Sequence, residues 1–154
     1  MAEPDPVMTR IGEALALGQQ GDRAAARARF SELWEELGPE GDPVQRCALA
    51  HAMADVQDDP HEELVWDQRA LGAAERITEA RLAEVGVVGS VRGFYPSLHL
   101  NLGDVYRRLG EFELARTHLE LGREAEDALE DDGYAQLVRE GLDRLARRLD
   151  GSLE

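Results

Sequence analysis

The chain lacks several features on which common kinds of site depend. Cys47 is its single cysteine, which excludes an internal disulfide and a zinc site built from several cysteines. All 17 basic residues are arginine, so no lysine is available for a Schiff base or for a phosphate-binding loop. The sequence contains no Gly-x-Ser-x-Gly, HExxH or dinucleotide-binding motif. We therefore predict a non-enzymatic protein without a cofactor or a bound metal.

The charge of the chain is strongly unbalanced. Its 154 residues include 32 acidic and 17 basic ones, which gives a formal net charge of −15. Such a chain repels phosphate backbones and anionic lipids, so we expect neither nucleic acid nor a membrane as partner. No apolar run reaches the roughly 18 residues that span a bilayer, and the N-terminal residues lack the apolar segment of a secretory signal. We expect a cytoplasmic protein.

Helix is the regular structure that the sequence pattern predicts. Alanine, leucine, glutamate and arginine dominate, and β-branched residues are few. Asp42 and Asp59 each precede a proline, which is typical of an N-cap followed by the first helical residue. Breaks at glycine, proline and aspartate predict helices at about 7–20, 22–37, 43–57, 60–84, 95–109, 111–130 and 134–149. We expect one helical domain over 7–149, between flexible tails at 1–6 and 150–154.

One segment carries a spacing of small and large residues that is typical of a structural repeat. The spaced residues are Leu102, Gly103, Tyr106, Gly110, Ala115 and Leu119. This segment resembles the tetratricopeptide repeat (TPR), a family of stacked helical hairpins. We expect Gly103 and Ala115 where the two helices cross closely, and Gly110 in a tight turn that needs a left-handed or cramped backbone.

The other hairpins follow the same frame with lower fidelity. The N-terminal hairpin has its equivalent residues at Ala14, Leu17, Gly21, Ala26, Phe30 and Leu33. In the middle hairpin, Glu63 falls where the pattern has alanine, and Asp67 falls where it has a large apolar residue. A register slip of one residue, which brings Leu64 and Trp66 inward, is an alternative for this hairpin. The last segment, 134–149, is typical of a capping helix.

The resemblance implies an all-α fold of three TPR-like antiparallel helix hairpins in a right-handed superhelical arc, followed by the C-terminal capping helix. It also implies a protein–protein interaction module, an adaptor or regulator, which binds a peptide or protein surface in the concave groove lined by the first helix of each hairpin. Asn101 matches one member of the clamp by which some TPR domains hold a peptide carboxylate, although the lysines of that clamp have no counterpart here. The candidate partner-binding residues are Leu100, Asn101, Asp104, Arg107, Arg108, His51, Asp55 and Tyr95.

Two further hypotheses stay open. One is a small-ligand or metal-dependent activity in a pocket closed by the apolar insert 83–95, with His51, Asp55, His99 or Asp104 as its polar residues. The insert itself covers the groove as a lid, carries a partner-binding patch, or packs back on the second hairpin. The other hypothesis is a structural homodimer, because short repeat arrays often leave an apolar face open.

Several residues have ordinary structural interpretations. His99 is expected to pack inside its helix pair, and His118 is expected to face solvent. Cys47 is expected to be a buried apolar residue rather than a reactive thiol. Trp34 and Trp66 are expected in the core. The acidic run 58–63 is interpreted as helix-capping residues in preference to a cation site.

Overall fold

Helices account for all the regular structure in the computed structural model, which describes residues 5–86 and 89–151. They are α1 (Pro6–Gln19), α2 (Arg23–Leu37), α3 (Pro43–Asp55), α4 (Pro60–Ala74), α5 (Glu79–Glu84), α6 (Tyr95–Arg108), α7 (Phe112–Glu124) and α8 (Gly133–Leu149). Short 3₁₀ helices cover Val91–Phe94 and Glu126–Ala128. The chain divides into two compact units, Met1–Arg76 and Ile77–Glu154. Within the described ranges, none of these helices has the length and apolarity needed to cross a bilayer.

Aspartates begin the helices of the first unit. Each of α1 to α4 has one at its N-cap, where the side chain accepts a hydrogen bond from a backbone N–H of the first turn: Asp5, Asp22, Asp42 and Asp59. Proline lies in the first turn of α1, α3 and α4, where its missing N–H costs nothing. The helix starts predicted at 43 and 60 are confirmed. Asp5 belongs to the cap of α1 rather than to a flexible tail, and 1–4 and 152–154 lie outside the described residues.

Two helix pairs make up the first unit. α1 packs on α2 and α3 packs on α4, and the short connections make each pair antiparallel. α3 also contacts α1 and α2, which closes one core. Gly21 turns between α1 and α2 with a φ of 97°, a left-handed backbone that favours glycine. The repeat frame correctly predicts several members of this core, namely Ala14, Ala26, Phe30 and Leu33.

In the second unit, α6 and α7 form the helix pair that the repeat pattern predicts most clearly. Gly110 turns between them with a φ of 82°, as predicted. A Cβ on Gly103 would lie 2.7 Å from Leu145 Cδ2 and 3.3 Å from the carbonyl oxygen of Ala115, so this close approach requires glycine. α8 packs on both helices, where Leu145 and Leu149 join the core around Ala115. α8 therefore occupies the place of the predicted capping helix.

Two predicted helices are longer than the ones that form. The predicted helix 60–84 is in fact α4 and α5, separated at 75–78. Thr78 begins α5 by accepting a hydrogen bond from the backbone N–H of Arg81, and the buried Ile77 fixes the break. The predicted helix 111–130 ends at Glu124, and a 3₁₀ turn follows. The all-α fold of adjacent helix pairs is confirmed, while the extent of a single domain over 7–149 stays a prediction.

The middle hairpin keeps the original register. Asp67 is only 2% exposed on α4, and Ala70, three residues later, is fully buried. Leu64 and Trp66 are both half-buried. Leu64 and Trp66 are thus only partly inward, while Asp67 takes the buried position of the original register. Trp66 packs at the margin of the core instead, edge-to-face against Trp34.

The insert 83–95 packs within its own unit. Residues 87 and 88 lie outside the described part of the chain. The 3₁₀ turn Val91–Phe94 contacts Glu126–Ala128, and Arg92 donates hydrogen bonds to the Asp127 carboxylate and the Glu124 carbonyl. A Cβ on Gly93 would lie 3.2 Å from the carbonyl oxygen of Ala128. None of the sequence predictions for the insert included this contact with the connection between α7 and α8.

Candidate functional site

The outward side of α6 carries charged side chains centred on Asp104. Arg107 donates from Nη2 to Asp104 Oδ1 over 3.0 Å, and Arg108 donates from Nε to Oδ2 over 3.0 Å. Nη1 of Arg148, on α8, lies 3.8 Å from Oδ1. Three predicted partner-binding residues are thus brought together, with one arginine that the sequence pattern did not single out. These four residues are referred to below as the Asp104 cluster.

The Asp104 cluster has an excess of positive charge. One carboxylate faces three guanidinium groups, and all four side chains are partly exposed. The Nε of Arg107 is buried and has no hydrogen-bond partner among the described residues. A single carboxylate offers two oxygens, whereas three guanidinium groups offer many N–H donors.

The other predicted residues of α6 contribute differently. Asn101 is half-buried on the same helix. Leu100 packs against α8, because a Cβ on Gly141 would lie 2.5 Å from its Cδ2. Tyr95 stacks on the ring of His99 with 5.9 Å between the ring centroids. Leu100 and Tyr95 thus pack within the unit, and neither belongs to the Asp104 cluster.

Two segments of the chain match a known family. The model of the family named Tetratricopeptide repeat matches residues 7–32 and 96–120, which cover α1 with most of α2 and α6 with most of α7. These two segments are therefore similar to tetratricopeptide repeats. No curated protein and no solved structure matches it significantly. Because TPRs generally mediate protein–protein interactions, the Asp104 cluster, on the first helix of the second matched TPR, is the candidate site.

The two matched TPRs share one register. Ala14 of α1 corresponds to Gly103 of α6, and the positive-φ turn at Gly21 corresponds to the one at Gly110. Both matches agree with the frame predicted from small-residue spacing. The pair α3 and α4 lies outside the matched segments and still forms a helix pair of the same kind.

Between α6 and α7 of the second TPR, four rings form a continuous stack. The His99 and His118 ring centroids are 5.1 Å apart, and Tyr106 continues the stack at 5.4 Å from His118. Tyr95 completes it on the other side of His99. The Nδ1 atoms of His99 and His118 lie 2.9 Å apart, so one ring donates a hydrogen bond to the other. His99 is packed as predicted, whereas the prediction that His118 faces solvent is wrong.

Burial controls the protonation of this histidine pair. Desolvation, with a smaller contribution from the neighbouring His118, lowers the pKa of His99 to about 4. Desolvation also lowers the pKa of His118. At neutral pH both rings are therefore uncharged, which allows them to stack and to share a hydrogen bond.

The predicted residues His51 and Asp55 lie in the first unit, on α3. His51 is half-buried, and Asp55 is exposed one turn later. Cys47, on the same helix, is 8% exposed, and burial raises its pKa to about 11. Cys47 is thus a buried thiol, as predicted, and stays protonated at neutral pH.

The acidic run 58–63 takes part in ion pairs and helix caps. Asp58 accepts hydrogen bonds from Arg23 Nε over 3.0 Å and from Arg27 Nη1 over 3.2 Å. The hydrogen bond from Arg23 lowers the pKa of Asp58, and Asp59 caps α4. Across 5–86 and 89–151, no three histidine, cysteine or acidic side chains come together in a group suited to a metal ion.

A cleft of about 260 Å³ lies between the insert and the connection from α7 to α8. Its mainly apolar lining includes Phe94, Leu129 and Tyr134. The polar residues that the sequence assigned to a ligand pocket are not among those that line it. The cleft therefore gives no support to the small-ligand hypothesis.

A second group of arginines, in the first unit, had no counterpart among the sequence predictions. Arg46 and Arg69 lie over the rings of Trp34 and Trp66, and Arg76 is close enough to lower the pKa of Arg46. These five residues are referred to below as the arginine–tryptophan cluster. Trp66 and Arg69, three residues apart on α4, share a helix face, which is the one local signal for it. The remaining contacts depend on tertiary structure.

Proposed function

We propose that this protein is a non-enzymatic adaptor or regulator in the cytoplasm, which binds a peptide or protein surface through the outward side of α6. The partner places an acidic group, either a side-chain or a terminal carboxylate, against Arg107 and Arg108. The observation that carries the proposal is the Asp104 cluster, in which three guanidinium groups share one carboxylate. The match to a family of protein-binding repeats supports it.

Asp104 prepares the two neighbouring arginines for binding. An arginine side chain loses conformational entropy when it is fixed in one rotamer. The hydrogen bonds of Arg107 and Arg108 to Asp104 restrict both side chains before a partner binds, so less entropy is lost on binding. A guanidinium group also matches the planar geometry of a carboxylate and binds it through two parallel hydrogen bonds. Because Asp104 competes for the same donors, we expect moderate affinity and a strict dependence on geometry.

Affinity capture with matched variants tests this proposal. The baits are the wild-type chain, the double variant Asn101→Ala with Arg108→Glu, and Arg29→Glu as control. Arg29 is exposed on α2 of the other unit and makes no ion pair among the described residues, so its reversal changes the net charge equally. Circular dichroism checks that each bait is folded, and mass spectrometry quantifies the proteins recovered from a lysate of the source organism.

The proposal predicts at least one protein that the wild-type and Arg29→Glu baits recover and the double variant loses. The purified candidate must then bind the wild-type chain directly, with an affinity that Arg108→Glu weakens. Recovery of the same proteins by all three baits would refute the assignment of the α6 surface. Light scattering on the same proteins tests the homodimer hypothesis, because a stable dimer has twice the mass of the chain.

A further inference from the structure

The arginine–tryptophan cluster is a second charged surface, and it lies in the first unit. The two indole rings meet edge-to-face, with 5.0 Å between their centroids. The Cζ of Arg46 lies 4.0 Å from the centroid of the Trp34 ring. The Cζ of Arg69 lies 4.4 Å from the centroid of the Trp66 ring and 5.8 Å from that of Trp34. Both guanidinium groups are thus within the distance at which cations are attracted to an aromatic face.

The positive charge of this cluster is poorly compensated. Desolvation lowers the pKa of Arg46, repulsion from Arg76 and Arg69 lowers it further, and attraction to Glu40 opposes these effects without cancelling them. Within the described residues, no carboxylate lies within 4 Å of the Arg46 or Arg69 guanidinium groups. Arg76 has one such neighbour, Glu40 at 3.8 Å, whose side chain is 91% exposed. In a chain with a net charge of −15, this is a local excess of cations that repel one another.

The cluster is already held in position before any ligand arrives. Arg46 donates a hydrogen bond to the carbonyl oxygen of Gly38, and Arg76 donates one to that of Pro39 over 3.3 Å. Arg69 is fixed by its contact with the indole rings. A guanidinium group that stacks on a ring uses its face, which leaves N–H groups on its edge for a carboxylate. Little side-chain freedom remains to be lost on binding.

We propose that the arginine–tryptophan cluster binds an acidic peptide segment of a partner protein, with neighbouring Asp or Glu carboxylates on Arg46, Arg69 and Arg76. The indole rings offer apolar surface to the carbon chains of such a segment, as does the apolar part of a cleft of about 210 Å³ lined by Trp34, Glu35, Gly38, Pro39 and Arg46. Inorganic phosphate has no carbon atoms to place there. The surface belongs to α2, α3 and α4 of the first unit and to the residues that follow α2 and α4, so the proposal does not depend on the α6 site.

Tryptophan fluorescence reports directly on this surface, because Trp34 and Trp66 are the two tryptophans of the chain. The full chain is titrated with a blocked hexaglutamate peptide, and with blocked hexaglutamine as the uncharged control. Isothermal calorimetry measures the same affinities independently of the indole signal. We expect a saturable response to hexaglutamate that weakens as salt is added, and no response to hexaglutamine.

Neutral variants locate the binding. Arg69→Gln and Arg76→Gln remove one charge each from exposed side chains, and we expect each to weaken hexaglutamate binding about tenfold, as for loss of a charge-assisted hydrogen bond. Arg29→Gln, an exposed arginine elsewhere in the same unit, is the matched control and should bind as the wild type does. Far-UV circular dichroism verifies that all three variants are folded.

Several results would overturn this proposal. They are equal binding of hexaglutamine, unchanged binding by both cluster variants, or binding of inorganic phosphate as tight as that of hexaglutamate. A tryptophan signal that changes with protein concentration alone would assign the surface to a second copy of the chain. Loss of hexaglutamate binding in Arg108→Glu but not in Arg69→Gln would move the acidic ligand to the Asp104 cluster and leave the first proposal standing.

Discussion

Mild acid should destabilise the second unit through the histidine pair of α6 and α7. His99 is 8% exposed, and its pKa falls from an ordinary value of 6.5 to about 4 because of burial and the neighbouring His118. Between these two values the unfolded chain binds a proton at this site and the folded chain does not. The free energy of unfolding therefore decreases as the pH falls through this window, and the contribution levels off below it.

The size of the effect follows from the shift in the pKa of His99. One pKa unit corresponds to about 1.4 kcal/mol, so the loss attributable to His99 is about 2 kcal/mol at about pH 5 and about 3 kcal/mol at about pH 4. The lowered pKa of His118 acts in the same direction. Protonation would also place a positive charge beside the His118 ring nitrogen 2.9 Å away, and it removes the existing hydrogen bond in the tautomer in which His99 Nδ1 is the acceptor.

Urea unfolding at about pH 7 and about pH 5 measures this loss of stability. The three tyrosines lie in the second unit and the two tryptophans in the first, so near-UV tyrosine signals and tryptophan fluorescence distinguish the two units. His99→Gln should flatten the pH dependence of the tyrosine transition, whereas His61→Gln, an exposed histidine on α4, should leave it unchanged. A wild-type pH dependence that His99→Gln leaves intact would refute the reasoning, as would an NMR titration of His99 near 6.5.

Three further predictions concern packing and reactivity. Gly103→Ala should lower the free energy of unfolding by roughly 1–3 kcal/mol, because the added Cβ meets Leu145 and a backbone carbonyl. Gly72→Ala, on open helix surface, should raise it by roughly 0.5–1 kcal/mol. Urea titrations compare the two variants. Phe30→Ala should cost about 3–5 kcal/mol in the first unit, measured by tryptophan fluorescence, and a loss below about 1 kcal/mol would contradict its place in the core. Cys47, with a pKa raised to about 11, should react with iodoacetamide only when the chain unfolds, and rapid alkylation of the folded protein would disprove its burial.

Local chemistry explains which parts of the fold the sequence predicts well. Aspartate before proline predicts the starts of α3 and α4, because the cap and the missing N–H act within one turn. Glycine in a two-helix turn predicts the positive φ at Gly110, since other residues are strained there, and Gly21 occupies the equivalent turn with a positive φ as well. The spacing of small residues predicts Ala14 and Gly103 at close helix contacts. Each of these signals is contained in a few neighbouring residues.

Tertiary contacts explain the parts that the sequence does not predict. The break between α4 and α5 contains neither glycine nor proline. In the structure, Ile77 is buried at this break and Thr78 caps the helix that follows. The residues next to His118 in the sequence are mostly polar, which is typical of a surface position. In the structure, however, the His99 ring on α6 packs against His118. The arginine–tryptophan cluster joins residues from α2, α3 and α4, so no local pattern contains it. Contacts of this kind depend on which helices pair and on how the paired helices are aligned along their axes.

The net charge of −15 is a sum over the whole chain, so it gives no information about where the arginines cluster on the surface. At physiological salt, exposed charges are largely screened beyond about 8 Å. A ligand in contact with either arginine cluster therefore senses mainly the nearby guanidinium groups, while the acidic side chains elsewhere oppose its approach. A short acidic segment can be attracted along its whole length once it is bound. A nucleic acid extends well beyond either cluster and is repelled along the rest of its backbone. We therefore expect the acidic composition to oppose nucleic-acid binding, while it permits a compact acidic ligand at either of the two clusters.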